Sequence, residues 1–191
     1  MPSSSSIPMP PTPPKGPMTG PELLASGGGK RVELVRGEIR TMSPTSYEHG
    51  RTEINVGSLL RAYVRERNLG EVMGGEVGIY TGRNPDTVRA ADVLFISAGR
   101  MAKVTSPGYL DAAPELIVEI LSPGDRWIDI HDKLEEYFEI GVLRVWLVDP
   151  RRRRVFVYRS PTDVRCVSGE ETISGEEALP GFEISVAAFF E

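Results

Sequence analysis

Glu119 interrupts the run Leu116-Ile117-Val118-Glu119-Ile120-Leu121, which is otherwise apolar throughout. A stretch apolar on both faces reads as a central strand covered on both sides. An ionised carboxylate there is costly unless a cation or strong donors compensate it. Asp92 opens the run Asp92-Val93-Leu94-Phe95-Ile96, and strict alternation puts it on the face of Leu94 and Ile96. Lys133 lies in a segment whose Ile130, Leu134, Tyr137 and Phe138 define a core face. At ~100° per residue Lys133 sits on the flank, ~80° from the centre of that face and beside Asp129. This flank is either a surface Asp129–Lys133 pair worth a few tenths of a kcal/mol, or the place where a lysine meets the neighbouring carboxylates.

Two acidic side chains from adjacent strands suit Mg²⁺, a hard cation that takes oxygen ligands and keeps several waters. Such an ion polarises a phosphate and lowers the pKa of a bound water. A nearby ammonium would orient that water or help deprotonate it. Cations placed in advance stabilise the negative charge that gathers on phosphate oxygens in the transition state. An earlier helix adds two more polar groups. Val56, Leu60, Tyr63 and Val64 form its buried stripe. Continued backwards, the stripe reaches Glu53 and His49, both within about 20° of the direction of Leu60. Either the helix start protrudes into solvent there, or the stripe ends over a polar pocket.

The elements that must position these groups follow from the pattern. Val32 and Leu34, a turn at Arg36-Gly37, then Ile39 and Met42 predict a hairpin. Ser43-Pro44-Thr45-Ser46 stops it and caps a helix running to about Asn68, ended by Leu69-Gly70. Val77–Tyr80 and Val88–Ile96 predict strands joined through residues 82–86, and Glu115–Leu121 a third, closed by Ser122-Pro123-Gly124. Asp129–Ile140 predicts a helix stopped by Gly141. Leu143–Val148 and Val155–Tyr158 form a hairpin across Asp149-Pro150 and four arginines, and a short strand near Glu183 precedes an apolar helical turn. This order predicts an α/β or α+β domain, a central mixed sheet flanked by helices.

Composition bounds the rest. The chain has 191 residues, enough for one domain. Residues 1–17 hold seven of the 16 prolines and the run Ser3–Ser6. They read as a disordered tail, since they bury too little apolar surface to offset the ordering entropy, which leaves residues 18–191 as the folded domain. The longest apolar run, Val186–Phe190, is five residues, against the ~18 needed to span a membrane. No basic-plus-apolar leader is present, so secretion is not expected. One cysteine and two histidines cannot build an internal disulfide or a zinc cage, and a reducing, cytoplasmic setting follows. The net charge of −5 gives no hint of a nucleic-acid partner. However, residues 143–167 carry seven Arg against two Asp, and such a local cluster matters where the total does not. The arginines at 151–154 are either a solvated turn or a patch on a nucleic-acid backbone, with steep salt dependence.

Several motifs together are similar to those of a known family. They are Glu33-Leu34-Val35, Gly37-Glu38, Met42-Ser43-Pro44, His49, Ala91-Asp92-Val93, the whole of residues 114–123, Asp129, Lys133, Tyr137, Gly141, Trp146-Leu147-Val148-Asp149-Pro150 and Leu179-Pro180-Gly181. From about Arg31 to Glu191 the chain resembles the Uma-type restriction endonuclease family of the PD-(D/E)XK nuclease superfamily. The resemblance implies a restriction-endonuclease-like fold, a Mg²⁺ or Mn²⁺ centre and hydrolysis of phosphodiester bonds, with DNA the expected partner. A homodimer is expected on separate grounds, since a symmetric pair would suit cutting two strands. The resemblance also implies Asp92 and Glu119 as metal ligands with the carbonyl of Ile120, and Lys133 as the lysine. In much of the superfamily the lysine stands two residues after the glutamate, where this chain has Leu121. Glu33 and His49 match recurring family positions with supporting or substrate-contacting roles. Ala91 replaces the usual proline, Arg36 an acidic residue and Val145 a tyrosine, and none of these removes an expected catalytic group. Two other readings stay open: a non-catalytic nucleic-acid-binding or mobile-element accessory module of the same fold, and a protein whose carboxylates merely form buried ion pairs.

Overall fold

The computed structural model describes residues 16–26 and 31–191. The expected tail therefore lies, apart from its last two residues, outside the described residues. Element order is α1 (Gly20–Ala25), β1 (Val32–Val35), β2 (Glu38–Thr41), α2 (Tyr47–Arg67), β3 (Gly70–Gly82), β4 (Thr87–Ser97), α3 (Ala98–Met101), β5 (Leu116–Ile120), α4 (Trp127–Glu139), β6 (Arg144–Asp149), β7 (Arg154–Tyr158), β8 (Val164–Ser168), β9 (Thr172–Ser174) and β10 (Glu183–Ser185). A 3₁₀ turn at Val186–Phe190 follows β10. The hairpins, both long helices and β4 to β7 fall where the pattern places them. Expectation missed α1, α3, β8, β9 and the first half of β3. The last of these, Gly70-Glu71-Val72-Met73-Gly74-Gly75, has too many glycines and too little alternation to announce a strand.

Among the described residues eight strands form one mixed sheet, and of these only β5 and β6 pair in parallel. Helix α2 covers one face. Its Val56, Leu60 and Val64 pack with Val93, Phe95, Val118, Ile120 and Trp146. Helix α4 covers the other, with Leu134 and Tyr137 against Ala91, Leu94, Ile96 and Ile117. Helix α2 begins as expected, the Ser46 hydroxyl accepting from the His49 N–H, and ends at Asn68 in a left-handed conformation.

The sheet is forked. Strand β3 occupies the whole of one edge of β4. Along the other edge β1 pairs only at Val88, and β5 only from Val93 to Phe95. Residues 89–92 thus face a gap where no strand completes the ladder. Opposite Asp92 the β3 register slips between Gly74 and Val77, with Gly75 and Glu76 both at positive φ. This is a β-bulge, a device that re-aims side chains beside it. It corrects one expectation: Asp92 does not share the face of Leu94 and Ile96. Arg89 and Ala91 face α4, as do Leu94 and Ile96, so the alternation changes phase at Asp92–Val93. Asp92 then turns toward α2.

Candidate metal and hydrolytic site

Backbone groups freed by the fork need partners, and charged side chains supply them. The Ala90 N–H donates to Glu33 Oε1 (3.1 Å), and the Lys133 ammonium donates to the Ala90 carbonyl (3.3 Å). The Ile120 N–H donates to Asp92 Oδ2 (2.7 Å) instead of continuing the β4–β5 ladder. Strand β1 brings Glu33, β4 brings Arg89 and Asp92, β5 brings Glu119, α2 brings His49 and Glu53, and α4 brings Lys133, Glu136 and Tyr137.

On the α4 side, Lys133 Nζ lies 2.8 Å from Glu33 Oε1 and 3.4 Å from Glu119 Oε2. Tyr137 donates its hydroxyl to Glu119 Oε1 at 2.6 Å. Lys133 therefore pairs with these carboxylates and not with Asp129, which is exposed and sits 3.9 Å from Arg126. Arg89 was not singled out by sequence reasoning, yet it organises this side. It holds Glu33 (3.0 Å) and clamps Glu136 with Nε and Nη2 (2.7 and 2.6 Å), while Thr81 also donates to Glu136. A signal was there to use. Arg89 is a cation in the largely apolar stretch Val88-Arg89-Ala90-Ala91, the same anomaly that flagged Glu119.

On the α2 side, His49 is buried, which selects the polar-pocket reading of the helix stripe. Its Nε2 is 3.2 Å from Asp92 Oδ2 and its Nδ1 is 3.8 Å from Glu53 Oε2. Nδ1 is buried without a hydrogen-bond partner among the described residues. Glu53 is anchored by the Gly75 N–H at 2.9 Å, so the bulge that turns Asp92 also fixes Glu53.

Both sides open into one cavity of about 690 Å³, whose lining includes Glu33, His49, Asp92, Glu119 and Lys133, with Arg31, Arg40 and Arg126 among its basic residues. The arginines of the 151–154 turn are not part of this lining. Arg152 and Arg154 pair with Asp149, and Arg153 lies over the Phe190 ring.

The electrostatics follow from this crowding. Burial raises the pKa of Glu119, and the charges of Asp92 and Glu33 add to that against the opposing Lys133. Burial pulls Lys133 down, but Glu119 and Glu33 outweigh it and hold the ammonium above its ordinary range. Burial likewise raises Glu33, but Lys133 and Arg89 prevail and keep it below the usual carboxylate value. For His49, burial lowers the pKa while the hydrogen bond and charge of Asp92, with Glu53, bring it above the ordinary value.

The donor set fits a divalent cation. One ligand atom from each of His49, Glu53 and Asp92 lies within 4.8 Å of the others. Glu119 stands beside Asp92 in the register of β4 and β5, since Val93 faces Val118. All the residues singled out from sequence as site or supporting groups border this one fork, although Asp92 and Glu119 approach it from opposite faces of the sheet.

A family profile described as "Putative restriction endonuclease" (Uma2) matches residues 21–187. The chain belongs to the Uma2 family. No curated protein matches it. Among solved structures it is similar to one described as "a putative nuclease belonging to DUF820 from Anabaena variabilis ATCC 29413", with a TM-score of 0.71 and 19% identity over 83% of this chain and 89% of that one. At that identity the likeness carries the fold, which is the restriction-endonuclease-like α+β arrangement. The sheet with helices on both faces and a forked central strand is thus the scaffold of this Uma2 chain. Among the described residues no helix is long and apolar enough to cross a membrane.

Proposed function

We propose that this chain is a Mg²⁺- or Mn²⁺-dependent endonuclease that hydrolyses phosphodiester bonds of DNA. The observation that carries the reading is the meeting of Asp92, Glu119 and Lys133 at the lining of one cavity, in a member of a family described by endonuclease function. Asp92 and Glu119, with the Ile120 carbonyl, would hold the ion. When bound, the ion supplies Lewis acidity toward the phosphate and lowers the pKa of the attacking water.

The chain's own residues supply the rest. Lys133 is kept as an ammonium by Glu33 and Glu119, so its part is to orient the water and stabilise charge growing on the phosphate, and not to take a proton. Glu119 accepts from the Tyr137 hydroxyl and the Lys133 ammonium, which holds its two oxygens in place for the part of a ligand. Glu33, itself held by Arg89, draws Lys133 inward. Asp92 is fixed by the Ile120 N–H and His49 before any ligand arrives, and this preorganisation lowers the cost of assembling the centre. Cleavage of both strands calls for two such sites, and we assign them to a homodimer.

The test is cleavage of supercoiled plasmid with Mg²⁺ or Mn²⁺, with Asp92→Ala, Glu119→Ala and Lys133→Ala as controls. Each variant is expected to lose at least about 10²-fold in rate while keeping the circular-dichroism spectrum of the parent. Wild-type rates in all three would refute the assignment. Sedimentation of the parent reports the dimer.

A further inference from the structure

We infer that His49 and Glu53 form a second cation position beside Asp92, on the α2 side of the fork, that takes a borderline first-row transition ion in preference to Mg²⁺. The inference extends the metal centre proposed above and shares Asp92 with it, but it stands on a different observation, the unpartnered imidazole nitrogen.

His49 is 3% exposed, and its Nδ1 has no hydrogen-bond partner among the described residues. A buried polar atom left in that state is rare and calls for an explanation. Asp92 Oδ2 lies 3.2 Å from Nε2, so the free position of the ring is Nδ1, where a metal ion would take the place of the proton that Asp92 and Glu53 otherwise favour. Nδ1 faces Glu53 Oε2 at 3.8 Å, too far for a hydrogen bond. The buried nitrogen and the partly exposed carboxylate oxygen repel unless a proton or a metal cation lies between them. Ligand atoms at about 2.1 Å from one shared ion stand roughly 3.0 to 4.2 Å apart, from right-angled to opposite placement. The observed 3.8 Å falls inside that range.

The surroundings are those of a ligand pair held ready. Glu53 spends Oε1 on the Gly75 N–H (2.9 Å), which directs Oε2 toward Nδ1. Asp92 plays toward His49 the part that a carboxylate usually plays behind a metal-ligating imidazole, setting its tautomer and ring orientation. The bulge at Gly75–Glu76 brings the Gly75 N–H and Asp92 to the same place. The nitrogen decides the class of ion. Mg²⁺ demands oxygen ligands, whereas imidazole favours the later first-row divalent ions.

Cobalt(II) is a suitable probe, because its visible absorption reports ligation directly. The full chain is stripped with a chelator and titrated with Co²⁺ in excess Mg²⁺, followed by absorption and calorimetry. The parent is expected to bind Co²⁺ with new visible bands. His49→Gln and, with the imidazole retained, Glu53→Gln should each weaken that binding at least tenfold. Glu119→Gln should leave the bands intact even as it abolishes plasmid cleavage, so failure of the nuclease reading and failure of the second position give different results. The inference is overturned if the parent shows no Co²⁺ bands under Mg²⁺, or if both His49→Gln and Glu53→Gln bind as the parent does.

Discussion

Two clusters of arginine and glutamate stand at opposite ends of strands β5 and β6, and they differ in how completely their charges are answered. At one end Arg144 reaches Glu176 and Glu177, and Arg159 pairs with Glu176. The two glutamates are a quarter or more exposed, so water shares the work. At the fork, Arg89 and Lys133 answer Glu33, Glu119 and Glu136, while Asp92 and Glu53 share one histidine whose Nδ1 has no hydrogen-bond partner among the described residues. The same residue types yield opposite titration behaviour. The hydrogen bond from Arg159, against burial and with help from Arg144, pulls Glu176 down to about 2, whereas burial pushes Glu119 up. Arg144 is itself buried, but each of its carboxylates is paired and reaches water. The crowded fork, with a buried nitrogen unpartnered among the described residues, is the candidate binding site.

The largest effect that would break this contrast comes from Arg89. Arg89→Met leaves the buried Glu33 to Lys133 alone, which Glu119 also claims, while Glu136 keeps Thr81 and water, and the expected cost is about 3–5 kcal/mol in urea unfolding. Arg144→Met should lose less, about 1–2 kcal/mol, because Glu176 keeps Arg159 and Glu177 is largely exposed, whereas Glu33 is buried. Equal losses would show that the two clusters are energetically alike.

A smaller, pH-dependent effect sharpens the other side. A carboxyl whose pKa is depressed by folding contributes stability above its unfolded value, near 4.3, and loses that contribution as pH falls toward the folded value of about 2. Parent and Glu176→Gln should therefore differ in unfolding temperature at pH 6 and converge as the pH falls from 5 to 2. A gap that stays constant with pH would remove the Arg159–Glu176 pair from the account.

The smallest effect is expected at the hairpin turn. Arg151→Ala with Arg152→Ala should change stability by less than about 0.5 kcal/mol. It should also leave the salt dependence of DNA binding as it was, since both residues are exposed and outside the cavity lining. A flatter salt dependence would restore the reading of this turn as a backbone-contacting patch.

Much of the site was legible one residue at a time. A lone carboxylate in an apolar strand marked Glu119, and a helical stripe run backwards marked His49 and Glu53. Arg89 escaped because its partners lie 56 and 47 residues away, and an arginine in a strand otherwise passes for a surface residue. The Asp129–Lys133 spacing was ambiguous for the opposite reason. A neighbour four residues away is always available, and only the competing carboxylates of β1 and β5 draw the ammonium inward.

Local periodicity was sufficient for the hairpins, the two long helices and the buried strands, because alternation and helical stripes are properties of neighbouring residues. The fork in the sheet, the bulge that turns Asp92 toward α2, and the choice of partner for each charge came from tertiary structure alone. Each depends on which backbone N–H and carbonyl groups are left unpaired when distant strands meet, and no stretch of neighbouring residues carries that information.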